Sequence, residues 1–227
     1  MAEHPMTVRP FPRVGMLLWA GVSLFVAAMI LGAAIFFFRG NGPFLIDEWW
    51  MTLLAATRGK GLLGVSYVMN FLGAGWFGVF AVPIAVAVAF LIARRPWAAV
   101  FFVGSSIAGA ALVQIMKHVF GRARPEEIIV ISDFGSFPSG HVANAATIAV
   151  AVWVLFPRIW VALVGAAYIL LMAFSRTYLG AHWFSDTIGG MLVGASAALL
   201  VAAAFARPLE REWGRKRLEE ARSPSLG

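Results

Sequence analysis

Three short clusters of ionisable side chains interrupt a sequence whose apolar runs are otherwise almost free of charge. The clusters contain Lys117, Arg124, His141, Arg176, His182 and Asp186. Lysine and arginine bind phosphate oxygens, and a histidine beside a carboxylate can act as a nucleophile or a base. The first cluster follows the third apolar run, the second precedes the fourth run, and the third lies between the fifth and sixth runs. If the runs cross a membrane back and forth, all three clusters reach one face, where they suit chemistry on a tetrahedral oxyanion.

The composition places the chain among membrane proteins. Hydrophobic residues make up 61% of the 227 residues and charged residues 13%, which departs strongly from soluble domains. The length predicts a single domain over residues 1–227. The chain has no cysteine, so disulfides, thiolate metal sites and thiol nucleophiles are excluded. The net charge of +7 does not indicate a nucleic-acid partner, because most basic residues flank apolar runs, where they anchor the chain to lipid headgroups.

The apolar runs predict an all-α fold, a polytopic membrane bundle of six transmembrane helices. The spans are expected at about 15–38, 75–93, 97–116, 142–156, 159–174 and 186–206. A Gly-Ala-Gly break at 73–75 divides the uncharged stretch 61–93 into a short interfacial piece and the second span.

Three further segments complete the expected architecture. Residues 47–58 mix acidic residues with tryptophans, which predicts an amphipathic segment lying in the membrane interface. Residues 207–227 are expected to form a basic cytoplasmic tail, solvated beside the membrane. Gly190 and Gly194 in the sixth span predict close helix packing, which we assign to contacts within the chain rather than to dimerisation. The oligomeric state is not indicated.

The distribution of lysine and arginine predicts the orientation of the chain. With the N-terminus inside, 11 basic residues fall on the cytoplasmic side, namely Arg9, Arg13, Arg94, Arg95, Arg158, Arg207, Arg211, Arg215, Lys216, Arg217 and Arg222. Seven fall outside, namely Arg39, Arg58, Lys60, Lys117, Arg122, Arg124 and Arg176, and three of these belong to the clusters. We therefore expect a multi-pass protein of the plasma (inner) membrane with cytoplasmic termini and the clusters on the extracytoplasmic face.

The first cluster pairs two cations. Lys117 ends the third span, and Gly121 and Pro125 keep Arg124 on a loop that faces the same space. An ammonium beside a guanidinium suits an oxyanion, and ordinary headgroup anchoring is the alternative. Arg122 fits the anchoring role better than Arg124 does.

The second cluster begins the fourth span. Ser139 can cap that helix, and Gly140 permits close approach to the backbone. The free N–H groups of a helix start bind anions. His141 can then donate a proton to an oxygen that leaves the anion. The alternative is a plain serine cap followed by an incidental interfacial histidine.

The third cluster supplies a nucleophile and its partner. Arg176 closes the fifth span, and His182 and Asp186 are four residues apart, so on a continuous helix they share one face. The carboxylate can reach one ring nitrogen and select the tautomer whose other nitrogen is free to attack phosphorus. The alternative is a buried His–Asp hydrogen bond that only joins helices.

The joint pattern is more specific than any one cluster. Its positions are, in order, Lys117, Arg124-Pro125, Pro138-Ser139-Gly140-His141, Ser175-Arg176, His182 and Asp186. This order and spacing resemble the signature of the type 2 phosphatidic acid phosphatase (PAP2) superfamily of membrane lipid phosphate phosphatases. The resemblance covers the six-span layout and leaves only the terminal tails outside.

The resemblance implies a phosphohistidine mechanism. His182 would attack phosphorus, Asp186 would hold and polarise its ring, and His141 would protonate the leaving lipid oxygen and then help to activate water. The non-bridging oxygens would be bound by Lys117, Arg124, Ser139, Gly140 and Arg176.

No cofactor or metal is expected. Three cations and a helix N-terminus replace the metal, and the Asp47-Glu48 pair lies far from the clusters in sequence. The substrate is expected to be a phosphorylated lipid of the undecaprenyl diphosphate, phosphatidylglycerophosphate or phosphatidic acid class, entering from the outer leaflet. One alternative is a lipid phosphotransferase that passes the phosphoryl group to a second lipid. Another is a non-enzymatic lipid transporter, which gives no reason for a His–Asp pair opposite a second histidine.

Overall fold

The computed structural model describes residues 13–73 and 75–222, and in that part of the chain all the regular secondary structure is helical. The helices are α1 (Val14–Arg39), α2 (Leu45–Ala56), α3 (Lys60–Gly73), α4 (Val82–Ile92) preceded by a π-helical turn (Phe77–Ala81), α5 (Pro96–Phe120), α6 (Gly140–Leu155), α7 (Ile159–Tyr178), α8 (Phe184–Ala204) and α9 (Ala206–Arg222). The predicted all-α class is confirmed. Arg9, Ala74 and the end of the predicted tail lie outside the described residues.

Four helices are long and apolar enough to cross a membrane, and α3 with Phe77–Ile92 forms a bent pair that meets the same test when taken together. The four helices are α1, α5, α7 and α8. The 16 residues of α6 are apolar but rise only about 24 Å, less than the ~30 Å of a bilayer's hydrocarbon core. The predicted count of six spans therefore stays a prediction.

The bent pair breaks where the sequence predicts a division. Gly75 has φ +64°, a left-handed backbone conformation that favours glycine. A Cβ at Gly78 would lie 2.6 Å from the backbone of Gly73, so the chain could not pass this closely with a larger residue. The Asn144 side chain of α6 donates to the carbonyls of Gly73 (3.1 Å) and Gly78 (3.0 Å). A neighbouring helix thus satisfies backbone groups that the break leaves free.

The core is built around α8, which packs against α1, α5 and α6. Gly190 and Gly194 face α6, where a Cβ would meet the backbone of Ser139 and of Ala143. Small residues at these positions let α6 and α8 approach closely, so the predicted packing within the chain is confirmed.

The start of the C-terminal helix is buried, which corrects our expectation of a fully solvated tail. Leu209 is 0% exposed, and Glu212 accepts hydrogen bonds from the free backbone N–H groups of Trp97 (2.8 Å) and Ala98 (3.3 Å) at the start of α5. Arg95 Nε lies 3.5 Å from the same carboxylate. The physical reason is the helix start, whose unpaired donors and positive dipole end attract a carboxylate.

Helix α2 lies across the ends of α7 and α8. It buries Asp47, Met51 and Leu54 and exposes large apolar side chains on its other face. The indole of Trp50 donates to Thr177 Oγ1 of α7 over 3.0 Å. These contacts bring a segment that is distant in sequence to the end of the bundle where the clusters lie.

Candidate active site

The predicted site residues meet at one end of the bundle. The C-terminal half of α5, the first two turns of α6, the end of α7 and the loops that carry Arg124, Asp133 and His182 line a cavity of about 510 Å³. Its lining includes six of the eight predicted residues, namely Lys117, Arg124, Gly140, His141, Arg176 and His182. The other two, Ser139 and Asp186, are fully buried and do not belong to the lining.

A tight turn between α7 and α8 carries His182. Gly180 has φ +66°, and a Cβ there would lie 2.6 Å from the carbonyl oxygen of Glu127, so glycine is required both by the conformation and by the space. Helix α8 begins only at Phe184. His182 and Asp186 therefore do not share a continuous helix, which corrects the geometry expected from their spacing.

The orientation of the His182 ring leaves one nitrogen free for attack. Nδ1 lies 2.8 Å from the carbonyl oxygen of Ser136, which can only accept, so Nδ1 carries the proton. Nε2 faces Arg124 Nη1 at 3.3 Å and holds a lone pair. Burial lowers the pKa of His182 well below its usual value, and the charges of Arg124, Arg176 and Lys117 lower it further. The ring is therefore neutral at neutral pH.

Asp186 contacts His182 through an intermediary. Its Oδ2 lies 3.7 Å from His182 Nδ1, which is too long for a hydrogen bond. Oδ2 accepts instead from the Ser136 hydroxyl and from the Trp183 backbone N–H (2.8 Å). The carboxylate thus fixes Ser136, and the Ser136 carbonyl fixes the ring. The direct contact that the sequence indicates is replaced by this two-step arrangement.

Arg122 pairs with Asp186, and our assignment of it to headgroup anchoring is wrong. Its side chain is 0% exposed, and Nη1 donates to Asp186 Oδ1 over 2.6 Å. Nη2 donates to Asp47 Oδ2 over 2.8 Å and to the carbonyl of Gly42 over 3.1 Å. The reason is that Asp186 is buried, and a buried carboxylate needs a partner of opposite charge.

Asp47 completes this buried chain of charges. Its Oδ1 accepts from the Ser185 backbone N–H over 2.8 Å, and its Oδ2 accepts from the Ser185 hydroxyl over 2.8 Å. Sequence separation was a poor reason to set Asp47 aside, because α2 folds over the site. A usable signal did exist, since an ionisable residue within an apolar membrane segment indicates a functional or paired group.

Asn70 of α3 holds two predicted residues in place. Its side-chain oxygen accepts a hydrogen bond from Arg176 Nη1, and its backbone carbonyl lies 3.0 Å from His141 Nε2. A carbonyl only accepts, so His141 carries a proton on Nε2, and Nδ1 is the nitrogen that can exchange a proton. Nothing in the spacing of Asn70 points to this role.

Ser139 stands at the N-cap position of α6, but its side chain makes no capping hydrogen bond. Our expectation that it caps the helix is therefore wrong. Its backbone N–H donates to the Asp186 carbonyl over 3.0 Å, and its hydroxyl is buried without a partner among the described residues. A Cβ at Gly190 would lie 2.6 Å from the Ser139 carbonyl oxygen, so α8 packs directly against the backbone of this residue. An unpaired hydroxyl at this depth is a donor available to an oxyanion.

The two cations of the first cluster share a carboxylate. Lys117 Nζ lies 2.7 Å and Arg124 Nη2 lies 2.8 Å from Asp133 Oδ1. Arg124 also donates to the carbonyls of Ala181 (2.6 Å) and Gly135 (2.9 Å). The two charges thus converge on one point of the cavity, as the first cluster predicts. The place of Asp133 in the site could not be predicted from the sequence, because its spacing from the clusters follows no recognisable pattern.

The site is rich in cations and poor in metal ligands. Among residues 13–73 and 75–222, no three His, Asp or Glu side chains are grouped so that they could hold a metal ion. Metal independence stays a prediction that requires an experiment.

Comparison with known sequences identifies the family. The sequence pattern of the PAP2 superfamily matches residues 98–209. The chain belongs to the PAP2 superfamily. All eight predicted site residues and Arg122 fall inside the matched range, whereas Asp47 and Asn70 lie outside it.

Several PAP2 relatives are similar to this chain. Lipid A 1-phosphatase of Rhizobium johnstonii is 33% identical over 122 residues, which cover 49% of this chain and 49% of that protein. Undecaprenyl-diphosphatase of Sulfolobus acidocaldarius is 30% identical over 104 residues, which cover 42% of this chain and 50% of that protein. The chain thus matches about half the length of these two relatives.

A solved structure resembles most of this chain. The crystal structure of a transmembrane PAP2-type phosphatidylglycerolphosphate phosphatase from Bacillus subtilis matches with a TM-score of 0.73 and 26% identity. The match covers 83% of this chain and 97% of that one. Together with the long apolar helices, it makes this PAP2 chain a multi-pass membrane protein.

Proposed function

We propose that this chain is a membrane lipid phosphatase that hydrolyses the phosphate monoester or diphosphate of a lipid or isoprenoid through a phosphohistidine. The observation that carries the proposal is the neutral ring of His182, whose Nε2 lone pair faces a cavity lined by Lys117, Arg124 and Arg176. Attack on phosphorus needs an unprotonated nitrogen, and three cations stabilise the charge on the phosphoryl oxygens.

In the first step, His182 Nε2 attacks phosphorus while the bond from phosphorus to the lipid oxygen breaks. Protonated His141 gives its Nδ1 proton to that oxygen, because its Nε2 proton is engaged with the Asn70 carbonyl. The non-bridging oxygens are bound by Lys117, Arg124, Ser139, Arg176 and the backbone N–H of Gly140. The products are the dephosphorylated lipid and phosphohistidine.

In the second step, neutral His141 accepts a proton from water as the water oxygen attacks phosphorus. The bond from phosphorus to Nε2 breaks, and inorganic phosphate leaves. Asp186 stabilises the imidazolium that exists between the two steps, acting through Ser136. Arg122 keeps Asp186 paired throughout.

The substrate class follows from the shape of the cavity and from the relatives. Beyond the cations, the lining continues between the bent pair and α5 along Val79, Ala110 and Val113, which suits a hydrocarbon chain. The relatives named above act on lipid A, undecaprenyl diphosphate and phosphatidylglycerophosphate. A phosphorylated lipid of the undecaprenyl diphosphate, phosphatidylglycerophosphate or phosphatidic acid class is the proposed substrate of this chain.

The proposed placement in the membrane has six crossings within one domain, residues 1–227. The bent pair and the short helix α6 supply the two crossings beyond the four long helices. Helix α2 lies in the interface, with Trp49 and Leu45 turned outward. The excess of lysine and arginine on one side supports cytoplasmic termini, an extracytoplasmic site and location in the plasma (inner) membrane.

The test is a phosphate-release screen of the purified protein on isoprenoid diphosphates, phosphatidylglycerophosphate, phosphatidic acid and lysophospholipids. We expect His182→Ala to lower release at least about 10³-fold, as loss of a nucleophile does in other enzymes. The matched control is His118→Ala, since His118 is exposed on α5, lies outside the cavity lining and hydrogen-bonds through Nδ1 to the Gln114 carbonyl at 2.7 Å. Unchanged hydrolysis in His182→Ala would contradict the proposal. Label recovered on an acceptor lipid instead of free phosphate would indicate the phosphotransferase.

A further inference from the structure

The phosphate-binding cations of this structure already hold an anion, which the chain itself supplies. Asp133 Oδ1 accepts from both Lys117 Nζ (2.7 Å) and Arg124 Nη2 (2.8 Å). Of the described residues that line the cavity, Asp133 is the one acid. One oxygen shared by an ammonium and a guanidinium is also how these residues would hold a phosphate oxygen.

This contact differs from an ordinary surface ion pair. The Asp133 side chain is 55% exposed, whereas those of Lys117 and Arg124 are 2% and 12% exposed. Burial alone would raise the pKa of the Asp133 carboxyl, but the hydrogen bond from Lys117 and the charges of Lys117 and Arg124 outweigh it and lower the pKa. The carboxylate is therefore charged and reaches inward from the solvent to two buried cations.

Arg124 does not need this carboxylate to stay in place. Its guanidinium donates to the backbone carbonyls of Asp133 (3.2 Å), Gly135 (2.9 Å) and Ala181 (2.6 Å). These neutral partners fix its position without cancelling its charge. The Asp133 backbone is held by the same contact, so rotation of its side chain alone frees Lys117 and Arg124.

We propose that Asp133 is an internal ligand of the phosphate subsite, which the phosphate of the substrate displaces. This inference rests on the proposed function for the identity of the displacing group. Asp133 contributes a single negative charge and engages two cations, whereas a phosphate dianion also reaches Arg176 and the α6 helix start. Competition with Asp133 therefore lowers the affinity of the subsite for every anion. A phosphate dianion still binds more tightly than a singly charged anion does. The competition also favours release of inorganic phosphate after each turnover.

The experiment measures the binding of inorganic phosphate to the full-length protein in detergent by calorimetry, at fixed pH and ionic strength. We expect Asp133→Asn to bind phosphate roughly tenfold more tightly, because one charge-assisted competitor is removed. The matched control is Glu126→Gln, which removes one negative charge from the same loop outside the cavity lining. It should leave the affinity unchanged.

Two outcomes would overturn the inference. Unchanged or weaker binding by Asp133→Asn would mean that the carboxylate holds Lys117 and Arg124 ready for phosphate. An equal gain in phosphate affinity in Glu126→Gln would mean that the net charge of the loop, and not the contact of Asp133 with the two cations, controls binding. Asp133→Glu, which keeps the charge, should bind phosphate as weakly as the unaltered protein does. Asp133→Ser provides a second removal of the carboxylate, and thermal unfolding verifies that each variant is folded.

The binding measurement involves no turnover, so its failure is distinguishable from that of the proposed function. Tighter phosphate binding by Asp133→Asn, together with no hydrolysis of any lipid by the unaltered protein, would support the internal ligand and refute the phosphatase. Lipid hydrolysis by the unaltered protein, together with unchanged phosphate affinity in Asp133→Asn, would support the phosphatase and refute the internal ligand.

Discussion

Arg122 Nη1 donates to Asp186 Oδ1 over 2.6 Å, and neither side chain is exposed to solvent. On its other side, Arg122 pairs with Asp47, which is also fully buried. Two carboxylates thus share one guanidinium, and this chain of charges links helix α2 to Asp186 in the first turn of α8. Loss of the Arg122 guanidinium would leave two buried carboxylates, those of Asp47 and Asp186, without this cation.

Arg122→Met should lower the free energy of unfolding by about 3–5 kcal/mol, since one partner of a buried ion pair is removed. Hydrolysis should be lost with it, because Asp186 no longer holds Ser136. Denaturant unfolding in detergent measures the first effect. Arg207→Met, at an exposed position on α9, is the matched control and should unfold as the unaltered protein does. A stability loss no greater than in the control would refute this account of Arg122.

Ser139→Ala should separate catalysis from stability. The hydroxyl is buried without a partner among the described residues, so its removal should leave the unfolding midpoint unchanged or slightly raised. If it donates to the phosphoryl group, kcat should fall about 10²-fold, as on loss of one oxyanion donor.

Ser66→Ala is the matched control for Ser139→Ala. Ser66 is equally buried, and its hydroxyl also lacks a partner in the described part of the chain. Unlike Ser139, which directly precedes Gly140 in the cavity lining, Ser66 has no lining residue next to it in the chain. It should change neither stability nor kcat. Equal kcat in Ser139→Ala and Ser66→Ala would remove Ser139 from the site.

The acid limb of the kcat/KM profile should lie below pH 6.5. In the proposed mechanism His182 attacks as the neutral ring, and burial together with the charges of Arg124, Arg176 and Lys117 lowers its pKa. Protonation, and with it loss of activity, therefore begins only at a pH below the usual pKa of histidine. The measurement is initial rate against pH, corrected for the separately determined ionisation of the substrate phosphate. An acid limb at or above pH 6.5 would contradict the assignment.

Gly194→Ala should destabilise the bundle. A Cβ at this position would overlap the Ala143 carbonyl, and overpacking of this kind costs about 1–3 kcal/mol. Gly104→Ala is the control, because a Cβ there would meet Val201 at an ordinary 3.6 Å. This second exchange should be neutral or stabilising by up to about 1 kcal/mol, since alanine favours helix. Unfolding in detergent compares the two, and equal behaviour would show that α6 and α8 can separate at little cost.

Chelation should leave turnover unchanged. The proposed site binds phosphate through cationic side chains, and the described residues contain no group of three potential metal ligands from His, Asp and Glu. Phosphate release before and after exhaustive treatment with EDTA measures the effect. Loss of activity that returns on adding Mg²⁺ would contradict the metal-independent mechanism.

The helical class and the meeting of the clusters could be predicted from the sequence. Apolar runs long enough to span a bilayer must be helical, because lipid offers no partner for free backbone groups. Helix ends then place residues such as Lys117 and Arg176 on one face, because alternate loops lie on the same side. The direct His182–Asp186 hydrogen bond could not be predicted, since α8 begins two residues after His182 and the Ser136 loop enters between them.

The sequence by itself thus determined the membrane class, the family and most of the residues that meet at the cavity, because these depend on local composition and short spacings. Only the tertiary structure decided which groups support them. Asp47, Asn70 and Asp133 reach the site from segments whose place depends on how helices pack and where loops fold back. Such contacts depend on close packing between distant parts of the chain, and no local pattern encodes them.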